Sequence, residues 1–195
     1  MWHLGTAGED ALRAHATRWS GAADITTGHH CPACGSDAHG RPWVRLPDGT
    51  RPWVSLARSG EHLVTAFADQ PVGVDVESIA AVDARWDPAL VLHPADPDPD
   101  LPRQIRRLAG APGERSDLPR QIRVSGPAPS RVAERRAAMW CRKEAILKAL
   151  GTGLRTPMSE IRVADWAVED IPAPEGFAAS VVVIAQAGRG GSSTA

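Results

Sequence analysis

Trp140-Cys141-Arg142-Lys143-Glu144-Ala145-Ile146-Leu147-Lys148-Ala149-Leu150-Gly151-Thr152-Gly153-Leu154 is the stretch on which the reading of this chain turns. Met139, Ile146, Leu147 and Leu150 supply apolar positions among frequent alanines, so a helix is predicted over 131–150, with Gly151 as its natural stop. Glu144 and Lys148 stand four residues apart and share one face of that helix. Such a pair is ordinarily a surface ion pair worth a few tenths of a kcal/mol. The other reading is chemical: a carboxylate completing a metal site, with an ammonium beside it to meet phosphate charge.

Upstream, Pro71 to Glu77 reads as a strand in which Val72, Val74 and Val76 face one way and Gly73, Asp75 and Glu77 the other. Asp75 and Glu77 therefore point to one side. Two hard oxygen ligands converging there suit Mg²⁺, which binds few carboxylates and completes its shell with water and phosphate oxygens. By itself such an acidic pair is more often solvated or capping a helix.

Taken in order, Gly73-Val74-Asp75-Val76-Glu77 and the Trp140–Leu154 stretch resemble the 4′-phosphopantetheinyl transferase superfamily, in particular its surfactin-synthetase-activating type. That family carries a G-[IV]-D-x-E strand motif followed by a W-x-x-K-E-x-x-x-K-x-x-G-x-G-L helix motif, and both are complete here. Gly40-Arg41-Pro42 is similar to the family's G-[KR]-P segment, and Ser55-Leu56-Ala57-Arg58-Ser59-Gly60 to its N-[LIV]-S-H-S-G segment. Leu92-His93-Pro94-Ala95-Asp96 resembles the short segment that opens the family's second half.

The resemblance implies an α/β (α+β) fold of two similar halves in a pseudo-twofold arrangement, with coenzyme A and Mg²⁺ in the cleft between them. It makes Asp75, Glu77 and Glu144 the metal ligands. Lys148 would contact the phosphate being transferred and stabilise the 3′,5′-ADP leaving group, while Glu144 or a water on the metal would be the base. Arg41, Pro42, Arg58 and Ser59 would hold coenzyme A, the two arginines through bidentate donation to its 3′-phosphate. The partner would be an apo acyl- or peptidyl-carrier protein whose serine hydroxyl attacks the β-phosphate. Two positions depart from the pattern: Arg58 stands where many members have His, and Ala57, where many have Ser, lacks a hydroxyl. The competing function is a degenerate, non-catalytic member that binds coenzyme A or a carrier protein without turnover.

The rest of the chain sets limits. Its 195 residues suit one or two small domains, and 43% apolar content makes it globular. A net charge of −1 does not predict a nucleic-acid binder. Met1-Trp2-His3-Leu4 has no basic segment leading into an apolar run, and no stretch reaches membrane-spanning length, so a cytoplasmic protein without membrane contact is expected. Three cysteines make a poor disulfide framework. A monomer is the default for the family's single-chain pseudo-dimer. The expected division is an N-terminal half over 1–78, a C-terminal half over 79–187 and a disordered tail over 188–195.

Further elements predicted are a helix over 9–20, strands over 42–46 and 52–56 flanking the turn Pro47-Asp48-Gly49, and a strand over 62–68. Strands over 161–168 and 178–185 follow the motif helix. Residues 28–42 read as loop, and 83–130 as the least structured part, holding a direct repeat of Asp100–Arg106 as Asp117–Arg123. Cys31-Pro32-Ala33-Cys34-Gly35, with His29, His30 and His39 nearby, is half of a zinc site; a loop beside the nucleotide pocket is the plainer reading.

Overall fold

The computed structural model of the chain describes residues 1–100 and 129–185. Most of the direct repeat and the 188–195 tail lie outside the described residues. Among the described residues, eight strands and four α-helices follow one another as β1 (Trp2–Leu4), α1 (Gly8–Ser20), β2 (Thr26–His30), β3 (Arg41–Arg45), β4 (Trp53–Ser59), β5 (His62–Ala68), β6 (Val72–Ser78), α2 (Ile79–Ala84), α3 (Pro88–Val91), α4 (Arg131–Leu150), β7 (Val168–Asp170) and β8 (Phe177–Val183). This is the α+β class expected. No described helix is long and apolar enough to cross a membrane.

The two halves share one topology. In the first, the antiparallel sheet runs β1-β5-β4, with α1 following its first strand. In the second it runs β6-β8-β7, with α4 between the first strand and the last two. Each sheet therefore sets its first strand against its last and its last against its penultimate. β6, grouped with the N-terminal half in the reading of the sequence, ladders to β8 of the second sheet, with Asp75 opposite Ser180.

β6 also joins the sheets. Its backbone N–H groups at Val74 and Ser78 donate to the hydroxyls of Ser55 and Ser59 on β4. The equal spacing of these two bonds means that β4 and β6 run in the same direction. Val74 and Val76 pack with Ala57 and Val64 of the first sheet and Ala179 of β8 in one buried cluster. On the opposite face, a Cβ at Gly73 would lie 1.9 Å from the Ala145 carbonyl oxygen and 2.7 Å from the Ala149 nitrogen. Only glycine lets α4 lie this close to β6, and that contact carries Glu144 and Lys148 to Asp75.

α4 forms as read. Ser130 caps it by accepting from the Ala133 N–H, and Gly151, at φ 71°, ends it with its N–H on the Lys148 carbonyl. Ala145, Ile146, Leu147 and Ala149 pack with Met139, Val91 and Val182. Arg142 ties the helix to β7 through a two-pronged bond to Asp170, at 2.8 and 2.5 Å.

Three expectations are corrected. The strand over 161–168 is reduced to Val168–Asp170, preceded by short 3₁₀ turns at Met158–Glu160 and Val163–Asp165. The Met158 and Ile161 carbonyls accept from the buried Lys143 ammonium and turn away from any ladder. The turn at Pro47-Asp48-Gly49 forms, with Leu46 N–H on Thr50 O and Gly49 N–H on Leu46 O, but β3 and β4 do not pair across it. β3 instead ladders to β2, inside the segment read as loop, and the Trp43 indole N–H donating to His29 O reinforces that pairing. Finally, α3 and the last two residues of α2 fall in the segment read as least structured; Ser78 and Asp87 cap the two helices.

Candidate functional site

β6 and α4 bring the acidic residues of the two motifs together. Asp75 is almost fully buried, and its Oδ1 accepts from the Lys148 ammonium at 2.6 Å. The same ammonium donates to the Val74 carbonyl at 3.2 Å. Asp75 Oδ2 is buried with no partner. Burial pushes the Asp75 carboxyl above its ordinary range, Lys148 opposes this, and Glu77 adds to it. Glu144 is raised too, by burial first and then by Asp75 and Glu77, with Lys148 again opposing. Glu77 is held at the mouth of this group by the Ser59 hydroxyl at 3.3 Å and the Arg85 guanidinium at 3.6 Å. Burial, with the acidic neighbours, keeps the Cys141 side chain a thiol, its Sγ directed at the Ala178 carbonyl.

Three carboxylates that repel one another, one with an orphaned buried oxygen, fit a hard divalent cation. They are set more widely than a closed ligand cage. Among the described residues the only His, Cys, Asp or Glu trio whose ligand atoms all lie within 4.8 Å is Cys31, Cys34 and His39. Lys148 supplies the compensating positive charge on Asp75.

A cavity of about 940 Å³ opens beside this group. Lys148, Leu147, Gly151 and Gly153 line it from the motif helix and its C-terminal turn; Gly40, Arg41, Pro42 and Trp43 line it from β3 and the residue before it. The Arg41 guanidinium reaches the helix end, near Gly151, and stacks 4.7 Å from the Trp53 ring centroid. Arg41 Nη2 is buried without a partner, and burial lowers the guanidinium pKa. A guanidinium in that state is poised for an anion.

The other residues named from the sequence are distributed differently. Ser59 bonds Glu77 and the Ser78 N–H, which makes it a carboxylate-positioning residue in this geometry. Arg58 is absent from the cavity lining and donates to the Thr6 carbonyl at 2.5 Å. Ala57 points into the core beside Val64 and Val74, where a methyl suffices. Arg51 was missed: it lines the cavity and stacks 5.4 Å from the Trp43 ring. No sequence signal separated it from other surface arginines. Lys143 was also missed as a structural residue. The chain's only lysines are Lys143 and Lys148, and both fall in α4.

A family model described as the 4′-phosphopantetheinyl transferase superfamily matches residues 71–175, which hold both motifs and the four site residues Asp75, Glu77, Glu144 and Lys148. The match covers more than half of the chain, and the chain belongs to this superfamily of phosphopantetheine-transferring enzymes. Comparison with curated proteins returned no match.

Proposed function

We propose that this protein transfers the 4′-phosphopantetheine group of coenzyme A to a serine of an apo acyl- or peptidyl-carrier protein, releasing 3′,5′-ADP, in the manner of the surfactin-synthetase-activating type. The strongest support is one cavity lined by both Arg41 and Lys148, the latter bonded to Asp75. It offers cationic groups for both phosphate regions of coenzyme A.

Asp75, Glu77 and Glu144 would hold Mg²⁺, which when bound neutralises pyrophosphate charge and so makes the phosphorus easier to attack. Arg41, with its unpartnered nitrogen, and Arg51 would bind the nucleotide end, and the tryptophans beneath them fix both guanidinium planes. Lys148 would meet the phosphate oxygens. The carrier serine oxygen forms the new bond to the β-phosphorus, the bond from that phosphorus to the bridging oxygen breaks, and the electron pair leaves with 3′,5′-ADP. Glu144 would be the residue that takes the serine proton. Positioning and charge neutralisation supply most of the catalysis, as in other phosphoryl transfers.

The test is the intact mass of an apo carrier protein after incubation with coenzyme A, Mg²⁺ and this protein. A gain of one phosphopantetheine, absent with Glu144→Ala and absent without metal, is the expected result. No gain on carriers from fatty-acid, polyketide and peptide systems would leave the non-catalytic reading.

A further inference from the structure

We infer that Cys31, Cys34 and His39 bind a zinc ion that closes the connection between β2 and β3 and thereby shapes the wall of the cavity beside Arg41. The ligand atoms of these three residues lie within 4.8 Å of one another. Cys34 Sγ and His39 Nε2 are 3.4 Å apart. A tetrahedral zinc with ordinary Zn–S and Zn–N bonds requires about 3.6 Å between a sulfur and a nitrogen ligand. The pair thus needs to move by only a few tenths of an ångström.

The backbone folds the start of this connection into a tight turn. Gly35, at φ 74°, returns the chain so that its N–H meets the Cys31 carbonyl at 2.8 Å, and the Cys31 N–H meets the Ser36 carbonyl at 2.9 Å. This tight turn presents both sulfurs on one side, and the chain folds back to bring His39 onto Cys34. The positive φ at Gly35 explains why glycine follows the second cysteine. Cys34 and His39 are exposed and Cys31 is half-buried, so an ion reaches all three from solvent.

Ligand chemistry separates this site from the carboxylate group. Thiolate and imidazole select zinc, whereas Asp75, Glu77 and Glu144 offer only hard oxygens suited to magnesium. The location gives the ion a purpose. Pro32 and Asp37 of the same connection, and Gly40 at its end, line the cavity that Arg41 enters. A Cβ at Gly40 would lie 2.5 Å from the His30 carbonyl oxygen, so the returning chain presses directly on the end of β2. A zinc clasp would hold that contact and with it the start of β3.

The test uses the full chain, untagged, purified without chelator and then equilibrated with zinc. About one zinc per chain is expected by elemental analysis, with loss to background in Cys31→Ser and Cys34→Ser. Asp75→Asn should keep its zinc, which separates this site from the magnesium site. To keep the test independent of how the serine variants fold, the unsubstituted chain is also loaded with Co²⁺ in place of zinc. Thiolate-to-cobalt charge-transfer absorption and tetrahedral d–d bands are expected, together with protection of Cys31 and Cys34 from alkylation that a chelator abolishes. A zinc-free chain after equilibration, cobalt spectra without sulfur charge transfer, or a Cys31–Cys34 disulfide in the purified protein would each overturn the inference. None of these readouts depends on transferase activity.

Discussion

Lys143 and Asp96 form an ion pair closed to solvent, their side chains 0% and 1% exposed. The pair joins the first lysine of the motif helix to the Leu92–Asp96 segment. The ammonium also donates to the Met158 and Ile161 carbonyls, and the carboxylate accepts from the His93 and Val163 N–H groups. Burial lowers the pKa of the ammonium, and Asp96 opposes this. Burial raises the Asp96 carboxyl, but Lys143 and the two N–H donors outweigh it and hold the pKa below the ordinary range.

Breaking this pair from one side should be costly. Lys143→Met leaves a buried carboxylate without its cation, and Asp96→Asn leaves a buried ammonium without its anion. Each should lower unfolding free energy by about 3–5 kcal/mol in urea melts. The double variant should lose clearly less than the sum, since neither charge is then stranded. Additive losses would mean that the two groups are not coupled.

Glu144→Gln should separate stability from function. It removes one of three mutually repelling carboxylates, so without metal the variant should be more stable by about 1 kcal/mol. The same change should abolish phosphopantetheine transfer. Thermal melts with and without Mg²⁺ check this: the unsubstituted protein should gain more from the cation than the variant does.

Gly73→Ala tests the close approach of α4 to β6. The methyl would meet backbone atoms of α4, which cannot rotate away. A loss of about 3 kcal/mol or more is expected, with activity lost even where folding survives, because Lys148 would no longer reach Asp75. An alanine variant with unchanged melting would contradict the packing described.

Acid should unfold the protein in two stages. His15, whose Nδ1 lies 2.7 Å from the Thr65 hydroxyl, has its pKa lowered to about 4 by burial, with the amino terminus, His3 and Arg18 adding to it. The unfolded chain binds a proton near pH 6.5 and the folded chain does not, so stability falls as pH drops from about 6.5 to 4. At this half-exposed site, screening cuts the effect to about 1 kcal/mol. Asp96 behaves differently: its contribution is complete above about pH 4 and is lost as pH falls further, through its lowered folded value. His15→Gln should flatten the first stage and leave the second, as read from urea midpoints across pH.

Local pattern alone determined α4, β5, β6 and α1, because these elements carry their signals in neighbouring residues: the alternating valines of β6, and the glycine that ends α4. Spacing of two on a strand or four on a helix set which of Asp75, Glu77, Glu144 and Lys148 share a face, and the resemblance of the two motifs to the transferase family singled these residues out. Only tertiary structure decided that Lys148 lies on Asp75, that Arg41 shares a cavity with Lys148, and that Ser59 steadies Glu77. Those contacts join residues 18 to more than 70 positions apart in the chain. Long-range pairing also overrode local pattern, giving β3 to β2 across the Cys31–Gly40 connection and interrupting the expected strand over 161–168 where Lys143 drew in the Ile161 carbonyl. Periodicity reports which face a residue occupies; which face it meets depends on packing between distant segments, and that is settled by burial and by the pairing of polar groups that burial demands.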